Sequence, residues 1–321
     1  VQGWLNLIQL CRPDKLILDY SPTVSLAARI AKVPTVLIGN GFELPPLTDP
    51  LPPFPGFSWA TADVAAQSER KAVSNANAIL QACKLSLLPA LRDLFADGPR
   101  LFATFPELDH YGTRPDAQYI GPLLGIPPHA LRVDWPESKG PKVFACLRPD
   151  TSHVQAILSA LAMTTARVIC VAQGFRDRQL ASFRKPHILF YRRPVDLAPL
   201  RDADLCISYG AEGTTIRFLL AGCPQLVSPW HVEAFMAARK LARAGLGLLI
   251  VEEASAAAVG RKIEQLVIDK DVCSSVAAFA ARYRLTKPGD SLLRKVLYPS
   301  DWRSNSVAAT GPRTTVSLAL T

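Results

Sequence analysis

This chain is poor in the features that membranes and structural metals require. No uninterrupted apolar run reaches the roughly 18–20 residues that cross a bilayer, and the opening VQGWLNLIQL carries neither a basic flank nor a small-residue cleavage site. A spanning helix is thereby excluded, and a soluble, cytoplasmic protein is expected. The cysteines (Cys11, Cys83, Cys146, Cys170, Cys206, Cys223 and Cys273) are scattered and never form a CxxC pair, which argues against a zinc site or a disulfide framework. Those in VFACL, RVICVA and ADLCIS sit inside apolar runs, where a thiol serves as a small hydrophobe. No solenoid repeat is visible. A concentrated basic stripe is missing too: the net charge is +9, but Lys and Arg are spread along the chain with only doublets such as Arg192-Arg193 and Arg261-Lys262. That distribution reads as a solvated surface, so no nucleic-acid partner is expected.

What is present is alternation. Short β-branched runs follow helix-length amphipathic segments throughout, the pattern of parallel α/β layers. A helix-like opening leads to a strand at Lys15–Asp19, a helix from Pro22 and a strand at Pro34–Gly39. The proline-dense stretch from Glu43 to Phe57 lacks the N–H donors for regular pairing and reads as a surface loop. A long helix is expected from Ala60 to Phe95, then strands near Leu101–Thr104 and Gln118–Ile120. The segment from Gly121 to Pro141 holds five prolines and no clear period, which suits a linker. A second series begins with KVFACL at Lys142 and continues through RVICVA, HILFY, ADLCIS, PQLVSP and GLLIVE. The expected division is therefore a first domain over 1–124, a linker over 125–141, a second domain over 142–298 and a poorly ordered tail over 299–321. A doubly wound domain normally starts with a strand and a glycine-rich turn, so two or three βα units are expected to be missing upstream of residue 1.

The informative stretch is ADLCISYGAEGTTIRFLLAGCPQLVSPWHVEAFMAARKLARAGLG, Ala203 to Gly247. An apolar strand ends at Ser208, a turn carries Gly210 and Gly213, and Thr214 and Thr215 open a helix. Glycines let the backbone approach a ligand closely. A helix N-terminus adds unpaired amides and about half a positive charge, so a phosphate can sit there. A second turn, Ala221-Gly222-Cys223-Pro224, leads to another strand, Pro229, and Glu233 near the start of the next helix. A carboxylate on that side can accept hydrogen bonds from sugar hydroxyls.

On these residues the chain resembles the nucleotide-sugar-dependent glycosyltransferases of GT-B fold, the group of macrolide, glycopeptide-antibiotic and UDP-glucuronosyl transferases, whose α/β architecture is two facing Rossmann-like domains. The family's His-Gly-Gly-x-Gly-Thr is matched by Tyr209-Gly210-Ala211-Glu212-Gly213-Thr214, its Gly-x-Pro by Gly222-Cys223-Pro224, and its Pro-x-x-x-Asp-Gln by Pro229 through Glu233-Ala234, with Ala237-Ala238 where Asn-Ala is usual. The likeness extends from about Pro13 to Tyr298. It implies that Tyr209, Gly210, Gly213, Thr214 and Thr215 bind the donor diphosphate, with Arg148 compensating for the histidine that Tyr209 replaces. His231 and Glu233 would bind the donor sugar, and Pro194 and Val195 would face the nucleobase. The first half matches more loosely: PDKLILD resembles the family strand whose terminal aspartate orients a catalytic histidine. Asp19 would be that orienting acid, although its histidine partner is absent from this chain. A helix-capping or turn-closing role for Asp19 stands beside that reading.

The resemblance implies an inverting, metal-independent transfer of a hexose-type sugar from a UDP- or dTDP-sugar to a hydroxyl of a small-molecule or lipid-like acceptor, with no organic cofactor. Two alternatives stay open: a catalytically silent nucleotide-sugar-binding or partner protein of the same fold, and a sugar-nucleotide epimerase. His110 could line the cleft or simply be a hydrogen-bonded loop residue, while His153 and His187 read as surface residues at element starts.

Overall fold

In the computed structural model, residues 1–125, 129–250 and 254–284 are described; the expected tail over 299–321 lies outside them. Among the described residues the backbone divides into two compact units, one comprising residues 1–122 and the other residues 123–284.

The first unit contains α1 (Gln2–Cys11), β1 (Leu16–Asp19), α2 (Pro22–Ala31), β2 (Thr35–Gly39), α3 (Ala62–Ala82), α4 (Arg92–Phe95), β3 (Arg100–Phe102) and β4 (Gln118–Tyr119). Its four strands are parallel and lie in chain order, β1-β2-β3-β4. All five residues of β2 are buried, as befits a strand covered on both faces. Pro22 opens α2 at a position where its missing N–H costs nothing. Leu5 and Ile8 of α1, Leu26 and Ile30 of α2, and Leu80 of α3 form one core with Leu88 and Leu94. The single long helix expected from Ala60 to Phe95 is interrupted. Thr61 caps the start of α3 by accepting from the Val64 amide, but the chain leaves the helix at Cys83. Lys84 is left-handed, with φ 55°, and Pro89 follows, so only Arg92–Phe95 recovers a helical turn.

The second unit contains β5 (Lys142–Leu147), α5 (Val154–Met163), β6 (Arg167–Ala172), α6 (Asp177–Leu180), β7 (Ile188–Tyr191), β8 (Leu205–Ser208), α7 (Glu212–Leu220), β9 (Gln225–Val227), α8 (Val232–Arg243), β10 (Gly247–Leu249), α9 (Ala256–Ile268) and α10 (Lys270–Tyr283). The sheet is parallel throughout, in the order β10-β9-β8-β5-β6-β7. Strand alternation builds the layers. Val143, Ala145 and Leu147 of β5 pack with Ile157 and Leu161 of α5 and Val259 and Ile263 of α9. Phe144, one residue out of step, enters the opposite core with Phe218 of α7, their rings stacked at 4.7 Å. Period-two burial on both faces explains why these strands read as nearly continuous apolar runs. The buried Cys170 and Cys206 are ordinary members of those cores.

Candidate functional site

In the second sheet the winding reverses between β5 and β8. Loops leaving two such strands diverge to opposite faces and open a crevice beyond their carboxyl ends. A cleft of about 300 Å³ lies there, lined among others by Cys146, Gln173, Pro194, Val195, Tyr209, Gly213 and Thr214. That volume falls at the lower end of the roughly 300–1,000 Å³ usual for small-molecule sites.

The turn after β8 is fixed from both sides. The Ser208 carbonyl accepts from the Ser228 amide at 2.8 Å, and its hydroxyl oxygen accepts from the Gly210 N–H at 3.2 Å. Gly210 has φ 91°, a conformation that L side chains rarely adopt. α7 then begins at Glu212, two residues earlier than the sequence suggested. One expectation changes accordingly: the Thr215 N–H donates to the Ala211 carbonyl at 2.9 Å and is not open to a ligand, while the Thr215 hydroxyl is buried without a partner. The amides of Gly213 and Thr214 have no acceptor among the described residues. A Cβ on Gly213 would meet nothing within 4 Å. Two open donors at a helix N-terminus therefore face unfilled space.

Arg148 follows β5, and its guanidinium stands 4.5 Å from the Trp230 ring centroid and 5.8 Å from that of Tyr209. Asp150 accepts from its Nε at 3.2 Å, which offsets part of the charge. Burial raises the Tyr209 phenol above its ordinary pKa, Cys146 adds to the rise and Arg148 opposes it, so the hydroxyl remains a neutral donor. The Cys146 thiol is pushed up to about 11 by burial, against a smaller opposing effect of its hydrogen bond with Thr214. A protonated thiol at neutral pH is no nucleophile.

Of the residues anticipated for the donor, Tyr209, Gly213, Thr214, Pro194 and Val195 line this one cleft, and Gly210, Thr215, Arg148, His231 and Glu233 do not. Gly210 is turned against Ala234 of α8, and Arg148 lies over the rings of Tyr209 and Trp230. His231 is exposed and serves as the N-cap of α8, its Nδ1 accepting from the Ala234 N–H at 3.2 Å. Glu233 lies in the first turn of that helix. Pro194 and Val195 are tied by their backbone to Leu131, whose amide donates to the Pro194 carbonyl at 2.9 Å. The bridge uses the Pro194 carbonyl and the Asp196 amide, leaving the Val195 N–H and C=O outside it.

In the first unit, Asp19 ends the edge strand β1 with its side chain exposed. His110 is 3% exposed, its Nδ1 lies 3.3 Å from the Asn40 carbonyl, and its ring meets Phe42 edge-on at 5.7 Å, as a packed loop residue does. His153 and His187 are more engaged than a free surface would give: His153 Nδ1 lies 3.0 Å from the buried Ser228 hydroxyl, and His187 Nε2 lies 3.2 Å from the Leu161 carbonyl.

Sequence reasoning missed Phe144, Cys146, Gln173 and Arg217 as cleft residues. Position just inside or after a strand end was an available signal for Cys146 and Gln173. Arg217 offered none, because its guanidinium reaches across to the Gly125 carbonyl at 2.8 Å. Asp-x-Asp spacing, a pattern met in metal-dependent transfer sites, occurs twice, at Asp202/Asp204 and Asp269/Asp271. Asp202 accepts from Lys142 Nζ and Trp135 Nε1, Asp204 from the Lys142 amide, and Asp269 caps α10.

No protein-family model matches the chain. The PGL/p-HBAD biosynthesis rhamnosyltransferase of Mycobacterium bovis (strain BCG / Pasteur 1173P2) is 26% identical over 271 residues, covering 79% of this chain and 60% of that protein. A PGL/p-HBAD biosynthesis glycosyltransferase of Mycobacterium tuberculosis (strain ATCC 25177 / H37Ra) is 27% identical over 263 residues, covering 75% and 60%. Among solved structures, the spinosyn rhamnosyltransferase SpnG complexed with thymidine diphosphate is similar with a TM-score of 0.64 at 17% identity, over 92% of this chain and 76% of that one. The chain is thus similar in sequence to glycosyltransferases and in fold to solved GT-B ones. Its two Rossmann-like units are the fold expected of a GT-B relative, and the strand order of the second is the dinucleotide-binding order. The chain spans about 60% of the length of the curated relatives it matches.

Proposed function

We propose that the protein to which this chain belongs transfers a hexose-type sugar from a UDP- or dTDP-sugar to an acceptor hydroxyl, and that the cleft at the β5/β8 switch binds the donor. The observation that carries the reading is the pair of unpartnered amides, Gly213 and Thr214, at the start of α7 beside the neutral Tyr209 hydroxyl. As the bond to the anomeric carbon breaks, negative charge collects on the departing nucleoside diphosphate. Fixed donors aimed at that charge lower the barrier without reorganising. Arg148 adds a cation at the rim and takes over the charge that a histidine at position 209 would carry. Charge stabilisation from amides and a guanidinium needs no metal, so the transfer is read as metal-independent, and direct displacement by the hydroxyl gives inversion. The Mycobacterium relatives and the thymidine diphosphate complex of SpnG support a nucleotide-linked deoxyhexose or hexose as donor. The first unit is assigned to a small-molecule or lipid-like acceptor, with Asp19 as the orienting acid, and the cytoplasm is the compartment of this reading.

The test is calorimetric titration of the 321-residue chain with dTDP and with UDP, followed by radiolabelled sugar transfer. Saturable binding of either nucleotide supports the donor assignment, and absence of heat with both removes it. Binding without transfer favours the catalytically silent reading, which Ala234 in place of an amide also supports. Sugar interconversion without any acceptor would identify an epimerase.

A further inference from the structure

The first unit holds a second concave site whose chemistry the donor reading does not use. It is a cavity of about 510 Å³ between the proline-dense loop and the entrances to β3 and β4, lined by Pro46, Leu47, Arg100, Phe102, Arg114 and Asp116 among others. Two guanidiniums stack on one ring there: the Arg114 Cζ lies 4.7 Å and the Arg100 Cζ 5.5 Å from the Phe102 centroid. Arg114 donates to the Leu44 carbonyl, to the Gly41 carbonyl at 3.2 Å and to Asp109 Oδ1 at 2.9 Å. Asp109 is fully buried, so this pair is a compensated one. Arg100 donates to the Pro45 carbonyl and has no ion-pair partner among the described residues.

Asp109 answers Arg114 directly, and the exposed Asp116 also lines the cavity, so Arg100 is the guanidinium there without a direct carboxylate contact. The Nε–H groups of both arginines are buried and without a hydrogen-bond partner. Burial, and then repulsion from Arg114, hold Arg100 down at about 10. An unpaired guanidinium costs free energy, and an anion in the cavity answers it.

We propose that this cavity binds the oxyanion of a small ligand, a phosphate or a carboxylate group, through Arg100 and Arg114. Phe102, Pro46 and Leu47 supply apolar wall for whatever carries that group. Because the same guanidiniums hold the carbonyls of Gly41, Leu44 and Pro45, occupancy fixes the start of the proline-dense loop. The inference is independent of the donor site, which lies in the other unit.

The experiment is an NMR titration of arginine Nε–H cross-peaks in the full chain, without nucleotide. Arg100→Gln and Arg114→Gln serve to assign the two peaks. Sodium phosphate and sodium acetate are added in separate arms at constant ionic strength, with sodium chloride as the third. The expected result is saturable movement of the Arg100 and Arg114 peaks with phosphate or acetate and none with chloride; the tighter arm identifies the group. Calorimetry should then show at least tenfold weaker binding of that anion by Arg100→Gln. Peaks that stay still, or that move equally with chloride, overturn the proposal, as does unchanged affinity in Arg100→Gln. If neither substitution folds, peak pairs that respond to the anion only in wild-type protein are assigned by their cross-relaxation to the Phe102 ring, and the same criteria apply.

Discussion

Gly210 and Ala234 interlock: a Cβ built on Gly210 would stand 2.8 Å from the Ala234 Cβ. The left-handed turn after β8 and the first turn of α8 thus determine each other. Position 234, where the family carries an amide, is here 1% exposed and packed on the glycine. Gly210→Ala combines a left-handed strain of roughly 1–2 kcal/mol with overpacking of roughly 1–3 kcal/mol. A loss of about 3 kcal/mol lowers the melting temperature of a unit this size by roughly 6–12 °C. Thermal unfolding followed by circular dichroism measures it. Adding Ala234→Gly should recover the overpacking part and leave the strain; no recovery would mean that the two residues do not interlock.

Gly213 predicts the opposite separation. Nothing stands within 4 Å of a Cβ there, so Gly213→Asp should change stability by no more than about 0.5 kcal/mol, as at other unencumbered surface positions. Its carboxylate would occupy the space before the Gly213 and Thr214 amides and repel a diphosphate, so dTDP binding should fall about 100-fold or more, a loss of roughly 2.7 kcal/mol. Unchanged calorimetric affinity in a folded variant would detach the nucleotide from this turn.

How much of this was legible beforehand follows from which interactions are local. The strands of the second unit were readable because both faces of β5, β6 and β8 are buried, and nothing polar interrupts their runs. The Tyr209-to-Thr214 turn was readable because Gly210 answers a backbone requirement that only glycine meets cheaply. The break after Ala82 was harder: Lys84 adopts φ 55° although nothing in its own chemistry demands it. Arg217 and Gly125 are 92 residues apart, and no spacing rule couples them. His231, expected at the donor sugar, also caps α8, a role that depends on the Ala234 amide reaching its ring.

Tyr209 and Arg148 together predict a pH response. With its phenol raised by burial, Tyr209 stays protonated from pH 6 to 8, and its donor capacity is constant over that span. Tyr209→His places a group of ordinary pKa about 6.5 beside the diphosphate, so dTDP should bind more tightly at pH 5.5 than at pH 8 in the variant. Wild type should lack this gain at low pH and show only the change that ionisation of the dTDP terminal phosphate itself gives. Arg148→Ala, which removes a charge-assisted contact worth roughly 1.5–3 kcal/mol, should weaken dTDP about 10- to 100-fold at either pH. Calorimetry at the two pH values, with phosphate-free buffers, decides both.

For His231 the measurable question is whether capping accounts for its role. His231→Ala should cost about 1 kcal/mol, as loss of an N-cap acceptor commonly does, while His231→Asp should restore stability by offering another acceptor to the Ala234 amide. If sugar transfer also recovers in His231→Asp, the residue acts on α8. A transfer rate that stays low in a variant of wild-type stability would place His231 against the donor sugar instead.

Two phenols around Asp109 give the alkaline limb of stability its sign. Burial lifts Tyr111 to about 12, with Arg114 opposing, and lifts Tyr119 to about 12, where the hydrogen bond its hydroxyl donates to Asp109 Oδ2 at 2.8 Å adds to the rise. Between pH 10 and 12 the folded chain therefore holds phenolic protons that the unfolded chain has released. Their stabilisation is complete below pH 10 and disappears as pH climbs towards 12. Arg100, lowered to about 10, acts in the opposite sense, since over that interval the unfolded chain retains its proton and linkage favours the fold as pH rises. The raised phenols, joined by Tyr209 and by the Cys146 thiol at about 11, outweigh the one guanidinium, so the net effect is a fall in stability across this window. Absorbance at 295 nm should show three tyrosines, Tyr111, Tyr119 and Tyr209, ionising above the ordinary value of about 10, and Tyr119→Phe should remove one of them and flatten the loss of stability. An early titration of both phenols would mean that the Asp109 cluster is open to water.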